Sequence, residues 1–170
     1  LVRRLVDTPN VDQVIGIDLN ASNFTHRKLT SLRHDITLPL DLIFRDASVE
    51  AVVHLAFVLR QLRNRRYSKH LNVGGAVNVL NACASAHVRK ILLMSSATVY
   101  GPTARAGQFL SEDASLNPSK GFNYATDKVV VEMLYDFYRK NNPEVEVSIL
   151  RGCVVMGPTV DNFITQALRK

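Results

Sequence analysis

Lys90-Ile-Leu-Leu-Met-Ser-Ser96 is an apolar run that ends in two hydroxyl side chains. Continuous apolar runs of this kind are typical of strands buried on both faces of a parallel sheet. Because ligands of open parallel sheets bind beyond the carboxyl ends of the strands, the run predicts hydroxyl groups at a binding edge. Farther along, Tyr124 and Lys128 are four residues apart in a helical pattern, which places both side chains on one helix face. We predict that Ser96, Tyr124 and Lys128 form one proton-transfer site.

Strand and helix patterns alternate on both sides of this run. Short β-branched runs predict further strands at 13–18, 32–36, 51–56 and 144–150. Apolar residues at helical spacing predict helices at 40–47, 63–87 and 122–141. Such alternation is typical of an α/β fold with right-handed crossovers. We therefore expect one Rossmann-like domain over residues 1–170, built on a doubly wound parallel sheet.

Both ends of the chain lie within helical patterns. Residues 1–6 and residues 162–170 each have the apolar spacing of an amphipathic helix. Domains rarely begin and end in the middle of a helix, so we expect a domain that is truncated at both ends.

Composition restricts the class of protein. A chain of 170 residues can bury a substantial core, and no apolar run approaches the roughly 20 residues that span a bilayer. The two cysteines, Cys83 and Cys153, are isolated in apolar surroundings. This favours buried free thiols in a reducing cytoplasm over a disulfide or a metal pair. We expect a cytoplasmic protein that binds neither membranes nor metals.

The net charge of +6 raises the question of a nucleic-acid partner. The densest group of basic residues, which we call the basic cluster, surrounds Tyr67 and consists of Arg60, Arg63, Arg65, Arg66 and Lys69. No nucleic-acid-binding motif accompanies it, and the charge elsewhere is mixed. We favour a solvated helix face or the rim of an anionic-ligand site, and we expect no nucleic-acid partner.

Two acids end predicted strands where a dinucleotide could bind. Asp18 stands where dinucleotide-binding folds carry the acid that binds the adenosine ribose, if residues 1–6 end the preceding helix. A carboxylate there repels the extra phosphate of NADP, so NAD is preferred. Asp35, followed by Ile36, could accept a hydrogen bond from adenine. The alternative for each acid is an ordinary aspartate in a turn.

The strand predicted at 51–56 ends in small residues that would let a cofactor come close. We expect the backbone around Ala56 and Phe57 to line a cofactor pocket, and we interpret His54 as structural. The pair Gly74-Gly75 lies inside a predicted helix, where each glycine costs roughly 1 kcal/mol relative to alanine. This predicts close packing of that helix on the sheet.

The chemistry explains why tyrosine and lysine would occur together. Tyrosine has a pKa near 10, so general-base work near pH 7 requires a decrease of about three pKa units, roughly 4 kcal/mol. An ammonium one helical turn away and the positive nicotinamide of NAD⁺ could supply that field. Ser96 would fix the substrate oxygen beside Tyr124. The alternative is a surface Tyr/Lys pair on an amphipathic helix.

Two further stretches make the pattern recognisable: Met94-Ser-Ser-Ala-Thr-Val-Tyr-Gly101 and Tyr124-Ala-Thr-Asp-Lys128. Together they resemble the extended short-chain dehydrogenase/reductase superfamily, and within it the NAD-dependent epimerase/dehydratase family that includes UDP-glucose 4-epimerase. The similarity covers essentially the whole chain. Its supporting matches are Asp18, Asp35-Ile36, His54-Leu-Ala56, Asn72-Val-Gly-Gly-Ala-Val-Asn-Val-Leu80 and Leu150-Arg-Gly-Cys-Val-Val-Met-Gly-Pro158.

The resemblance implies roles for these residues. Tyr124 would be the general acid/base, Lys128 would hold the nicotinamide ribose, and Ser96 would be the catalytic hydroxyl. Further contacts to substrate would come from the neighbouring residues Ala97 and Thr98. The remaining cofactor-site residues would be Asp18, Asp35, Ile36, Ala56, Phe57 and Asn72, of which Asn72 would be a structural or proton-relay asparagine.

The resemblance also implies a reaction and partners. Hydride transfer from a sugar nucleotide or related secondary alcohol to NAD would begin an epimerisation, a dehydration or a simple oxidation. The full-length parent would form a homodimer. The glycine-rich phosphate turn would precede Leu1 and most of a substrate lobe would follow residue 170. We therefore expect this chain alone to bind NAD poorly and to be inactive.

Two functions of other classes remain as alternatives. A non-catalytic dinucleotide sensor or scaffold could use the same fold, because fold alone does not fix function. An intact Ser/Tyr/Lys set argues against it, since a sensor needs no tuned tyrosine. Nucleic-acid binding through the basic cluster would predict a steep salt dependence.

Overall fold

The computed structural model describes residues 1–20, 22–59, 64–102, 109–157 and 160. The strands within this part of the chain are β1 Val14–Asp18, β2 Leu29–Arg33, β3 Ala51–His54, β4 Lys90–Ser96 and β5 Glu146–Gly152. The α-helices are α1 Val2–Val6, α2 Asp41–Asp46, α3 Arg65–Lys69, α4 Gly75–Ser85 and α5 Asn123–Asn141. Arg60 and Arg63 of the basic cluster and the helix expected at 162–170 lie outside the described residues.

All strand pairs are parallel, as the alternation of strands and helices predicts. β1 pairs with β2, and β3, β4 and β5 form a separate three-stranded sheet in that order. The sequence predicts a single doubly wound sheet, whereas the described strands form two. Within the described residues no strand pairs with the second edge of β1 or of β3. At that edge of β3, Val53 is 39% exposed.

The core lies between the three-stranded sheet and two helices. Side chains of α4 and α5 pack with alternate residues of β4, of which Ile91 and Leu93 are buried. Tyr135 of α5 is fully buried in this cluster. The β4 run is therefore covered on this face, and its carboxyl end is held against α5.

The second strand begins earlier than the predicted 32–36. It ends at Arg33, and the chain then turns, because one carboxylate oxygen of Asp35 accepts hydrogen bonds from the backbone and hydroxyl of Thr37. Asn78 of α4 donates to the carbonyl of Ile36 at 2.6 Å. The polar groups that end the strand thus tie this turn to α4.

The long helix predicted at 63–87 is present in three parts. A π-helical turn, His70–Gly74, separates α3 from α4. Gly75 packs so closely that a Cβ atom there would lie 2.6 Å from Cδ1 of Ile36. The close approach is therefore present, but it is made to the segment after β2 and not to a strand of the sheet. π-helical turns occur often at functional sites, and this one carries Asn72.

Both cysteines are free thiols, but they differ in exposure. Cys83 is buried in the core, and burial raises the pKa of its thiol to about 12. Cys153 is exposed, so the prediction that both are buried is wrong for this residue. It follows the end of β5, where the strand has left the helix-covered region.

Candidate active site

Ser96 ends β4 and begins a short 3-10 turn, Ala97–Tyr100. Its Oγ accepts hydrogen bonds from the backbone N–H of Thr98 at 3.3 Å and from the Thr98 hydroxyl at 3.0 Å. The strand end and the turn thus present two hydroxyl groups side by side. This is the edge at which parallel sheets bind ligands.

Lys128 extends from α5 to the same strand. Its Nζ donates a hydrogen bond to the carbonyl of Met94 at 2.6 Å, and the residue is 3% exposed. The ammonium also lies 3.7 Å from the centroid of the Phe57 ring and 5.8 Å from that of Tyr124. Burial lowers the pKa of Lys128 to about 8, against the opposing field of Glu132.

Tyr124 lies one helical turn before Lys128 and is partly buried. Burial raises the pKa of its phenol, and the nearby Ser96 side chain partly opposes this. From the sequence we expect Lys128 and the nicotinamide of NAD⁺ together to lower this pKa. In the structure, burial of the phenol is the larger influence and raises it.

Phe57 takes a larger part in the site than predicted. Only its backbone was expected to line the pocket, but its ring meets that of Tyr124 edge-on, with centroids 5.3 Å apart. The same ring covers the Lys128 ammonium, which is a cation–π contact. Ala56, two residues after β3, is exposed.

Asn72 is buried and engaged by protein groups at both ends of its amide. Its oxygen accepts from the backbone N–H of Val58 at 2.8 Å, and its nitrogen donates to Asp127 at 3.1 Å. Asp127, 1% exposed, also accepts two hydrogen bonds from Arg65, at 2.7 and 2.5 Å. The structure therefore gives Asn72 a structural role that joins the segment after β3 to α5.

This explains one member of the basic cluster. The guanidinium of Arg65 pairs with Asp127, and its pKa is raised chiefly by that hydrogen-bonded contact. Arg66 and Lys69 are exposed on α3, as a solvated helix face would be.

A second buried ion pair lies on α5, one turn beyond Lys128. Glu132 is 2% exposed and accepts hydrogen bonds from the Ser95 hydroxyl and from Arg151, at 2.9 Å for the closest Arg151 contact. Arg151 also donates to the Tyr100 hydroxyl at 2.7 Å and to the Glu112 carbonyl at 2.6 Å. Contact with Glu132 raises the pKa of Arg151.

The residues expected to bind adenosine lie at the ends of β1 and β2, away from this cluster. Asp18 is exposed, and its Oδ1 accepts from the backbone N–H of Asn20 at 2.8 Å. Hydrogen bonds from Thr37 lower the pKa of Asp35. Ile36 packs against Gly75, so its side chain contributes to packing on the π-helical turn.

His54 is structural, as predicted. Its Nδ1 lies 2.6 Å from the hydroxyl of Tyr135, and burial lowers its pKa to about 4. Nε2 has no hydrogen-bond partner within the described residues.

Sequence reasoning missed the groups that hold the site together: Arg65, Asp127, Glu132 and Arg151. A signal for Glu132 was present, because it continues the four-residue spacing of Tyr124 and Lys128. No local signal pairs Arg65 with Asp127, which are 62 residues apart.

The described residues also contain no metal-binding group of His, Cys, Asp or Glu, and no helix among them is long and apolar enough to span a membrane.

Two curated proteins illustrate which sequences this chain resembles. An uncharacterised protein of Mycobacterium tuberculosis is 29% identical over 176 residues, which cover 99% of this chain and 47% of the relative. UDP-glucuronic acid decarboxylase 2 of Arabidopsis thaliana is 29% identical over 87% of this chain and 34% of its own length. The chain thus spans about half the length, or less, of these curated relatives.

Solved structures show the same fold. UDP-glucose 4-epimerase of Thermotoga maritima, solved with UDP-glucose, superimposes with a TM-score of 0.80 at 23% identity, over 94% of this chain and 53% of that one. UDP-glucuronic acid 4-epimerase of Bacillus cereus, in complex with NAD, gives 0.79 at 24% identity, over 98% and 58%. The Rossmann-like α/β prediction is confirmed.

The matching family model is that of the family which the sequence resembles. Residues 1–170, the entire chain, match the family described as NAD dependent epimerase/dehydratase. This chain therefore belongs to the NAD-dependent epimerase/dehydratase family, within the extended short-chain dehydrogenase/reductases.

Proposed function

We propose that this chain is the dinucleotide-binding part of an NAD-dependent enzyme that epimerises, dehydrates or oxidises a sugar nucleotide or related secondary alcohol. One observation carries the proposal: Ser96 ends β4, Lys128 donates a hydrogen bond to the Met94 carbonyl near that end, and Tyr124 lies close enough for Ser96 to lower the pKa of its phenol. A hydroxyl, a phenol and an ammonium in this order suit proton transfer at a substrate alcohol.

In this proposal Tyr124 takes the proton of the substrate hydroxyl and returns it to the product. Ser96 donates a hydrogen bond to the same oxygen and so fixes its distance from the phenol, and Thr98 supports Ser96 from the turn. Lys128 lowers the free energy of the phenolate by its charge.

The chain offers groups that fit NAD at two places. Bound NAD would accept a hydride from the substrate carbon and return it. Lys128 is a buried ammonium with a single hydrogen bond among the described residues, so ribose hydroxyls would find donors there. Asp18 exposes a carboxylate that suits a ribose diol and disfavours an additional phosphate, as in NADP.

The rest of the cofactor site would be supplied by a longer protein, which we also propose forms a homodimer. The sequence contains no G-x-G-x-x-G turn for the pyrophosphate. The related proteins are also about twice as long as this chain or longer. We therefore expect weak NAD binding by residues 1–170 alone, and calorimetry that gives nanomolar affinity would contradict this.

The decisive experiment is Tyr124→Phe in the full-length protein, assayed with UDP-glucose and UDP-glucuronic acid. Loss of the phenol should lower kcat by roughly a hundredfold or more. Tyr67→Phe is the matched control, because Tyr67 is 53% exposed and distant from Ser96 in the chain. Turnover within a few-fold of wild type in Tyr124→Phe would overturn the role of Tyr124.

The second candidate is a dinucleotide sensor on the same fold. Fold alone does not fix function, and a sensor would use the same cofactor site without a phenol that ionises near pH 7. A full-length protein that binds NAD but reduces none of it with any sugar nucleotide would support the sensor over the enzyme.

A further inference from the structure

Tyr124, Lys128 and Glu132 form a row along one face of α5. Successive members are four residues apart, so each side chain lies one turn beyond the last. The first two belong to the proposed proton-transfer site. Glu132 is the third, and it is nearly inaccessible at 2% exposure. It therefore acts on the site through other residues and does not contact a substrate itself.

The contacts of Glu132 and its partner Arg151 bracket the reactive hydroxyls. Glu132 accepts from Ser95, the residue immediately before Ser96. Arg151 donates to the hydroxyl of Tyr100, which ends the 3-10 turn that begins after Ser96. The segment that carries Ser96 and Thr98 is thus held on both sides by one ion pair.

Arg151 makes a further contact, which extends the ion pair's hold to the connection between β4 and α5. Its Nη1 donates to the carbonyl of Glu112, in the long connection between β4 and α5, and its guanidinium lies 5.1 Å from the Tyr100 ring centroid. A guanidinium can serve several acceptors at once, whereas a lysine ammonium cannot match this planar geometry. The pair therefore joins α5, β4, β5 and the connection into one unit.

Glu132 also carries the carboxylate that acts on Lys128. Around the ammonium, α5 contributes Tyr124 and Glu132, β3 contributes His54, and the following segment contributes the uncharged Phe57. The field of Glu132 raises the pKa of Lys128, and burial lowers it by more. Arg151, whose guanidinium lies 2.9 Å from the Glu132 carboxylate, weakens that field.

We infer that Glu132 and Arg151 are positioning residues of the proton-transfer site: they fix the Ser96–Thr98 segment against α5, and Glu132 places a carboxylate one helical turn from the Lys128 ammonium. This inference deepens the proposed function and rests on it for its catalytic consequence. Its structural part, the action of Glu132 on Lys128, is measurable without turnover.

The first test follows the titration of Lys128 by NMR of the Cε carbon in lysine-labelled protein, with the signal assigned from Lys128→Arg. Glu132→Gln removes the charge but keeps a shape and an oxygen that accept from Ser95. Lys128 should then titrate at a lower pH than in wild type. Asp136→Asn is the matched control, one turn farther along α5, where Asp136 pairs with Arg139 at the surface. An unchanged titration in Glu132→Gln would overturn the inference.

The second test measures kcat and KM in the full-length protein with NAD and the sugar nucleotide that it turns over. Arg151→Lys should lower kcat roughly tenfold to a hundredfold, because small displacements of reacting groups are that costly. KM for NAD should stay within a few-fold, and Glu132→Gln should also move the alkaline limb of the pH–rate profile. If kcat is unchanged in both variants, the inference is wrong.

These outcomes separate the inference from the function on which it rests. A wild-type protein that turns over none of the sugar nucleotides would overturn the proposed function. The NMR titration would still decide whether Glu132 acts on Lys128.

Discussion

Two buried charges one turn apart on α5 have opposite surroundings. The Glu132 carboxylate accepts hydrogen bonds from Ser95 and from two nitrogens of Arg151. The Lys128 ammonium has three donors but, among the described residues, makes one hydrogen bond, to Met94, and otherwise faces the Phe57 ring. Both residues are at least 97% buried, at 2% and 3% exposure.

The difference separates a charge whose hydrogen bonds are satisfied within the fold from one that keeps unused hydrogen-bond donors. A buried charge that is fully hydrogen-bonded is costly to break apart, although it need not stabilise the fold in net terms. A buried charge with unused donors destabilises the protein until something supplies acceptors. Glu132 belongs to the first kind and Lys128 to the second.

The largest effect should come from breaking the satisfied pair. Arg151→Met leaves Glu132 buried without its cation, and we predict a loss of roughly 3–5 kcal/mol in the free energy of unfolding. Urea denaturation of wild type and variant measures it. The double variant Glu132→Leu/Arg151→Met should recover much of the loss, because no unpaired charge remains. If Arg151→Met lowers the free energy of unfolding by less than about 1 kcal/mol, Glu132 does not depend on its ion pair and the contrast with Lys128 is wrong.

The next effect concerns Lys128 and appears as a dependence on pH. Its folded pKa of about 8 lies below the unfolded value of 10.5, so its cost is complete below pH 8 and disappears as the pH rises through 10.5. Relative to Lys128→Met, wild type should therefore gain roughly 3 kcal/mol of stability across that window. Urea titrations at several pH values test this, with Lys140→Met, at an exposed position of α5, as the control. If the free energies of unfolding of wild type and Lys128→Met change with pH in the same way, burial does not penalise the Lys128 ammonium.

An effect of about the same size is expected on the acidic side, from His54. Its folded pKa of about 4 lies below the unfolded 6.5, so wild type should lose stability as the pH falls from 6.5 towards 4. His54→Phe removes this contribution. The free energy of unfolding of wild type should therefore fall by roughly 3 kcal/mol relative to that of the variant as the pH falls from 6.5 to 4. Thermal unfolding at each pH measures it, and a constant difference would contradict the burial of a neutral imidazole.

The smallest effect is that of an exposed pair. Lys90 and Glu146 lie 3.8 Å apart on adjacent strands, with side chains 67% and 75% exposed. Lys90→Ala should change the free energy of unfolding by less than about 0.5 kcal/mol. A loss comparable to that of Arg151→Met would mean that burial does not govern these charges.

The sequence predicted the parts of the site that local patterns encode. The apolar run of β4 and the helical spacing of α5 fix where Ser96, Tyr124 and Lys128 lie, because strand and helix periodicity are local properties. The start of β2 was predicted incorrectly because residues 29–33 pair with β1, whereas the predicted run 32–36 has a similar strand propensity.

The rest depends on contacts between distant residues. Arg151 meets Glu132 and Tyr100 only once β5 is placed beside β4, and single-sequence patterns contain no information about such pairs. The raised pKa of Tyr124 was likewise unpredictable, because it depends on how deeply the packing of Phe57 buries the phenol. The spacing of Tyr124 and Lys128 indicated that the ammonium would favour the phenolate. It did not indicate how far burial would raise the pKa of the phenol.

The second edge of β3, beside which no described strand lies, has a consequence for residues 1–170 studied as a separate chain. Val53 and Leu55 are 39% and 51% exposed there, beside backbone groups that no described strand occupies. An open edge with apolar side chains is a template on which any extended segment can add, including one from another molecule. The strand is only four residues long, so each addition gains few hydrogen bonds. Residues 1–170 alone should therefore self-associate weakly and reversibly through this edge, whereas a longer protein with a strand beside β3 should not.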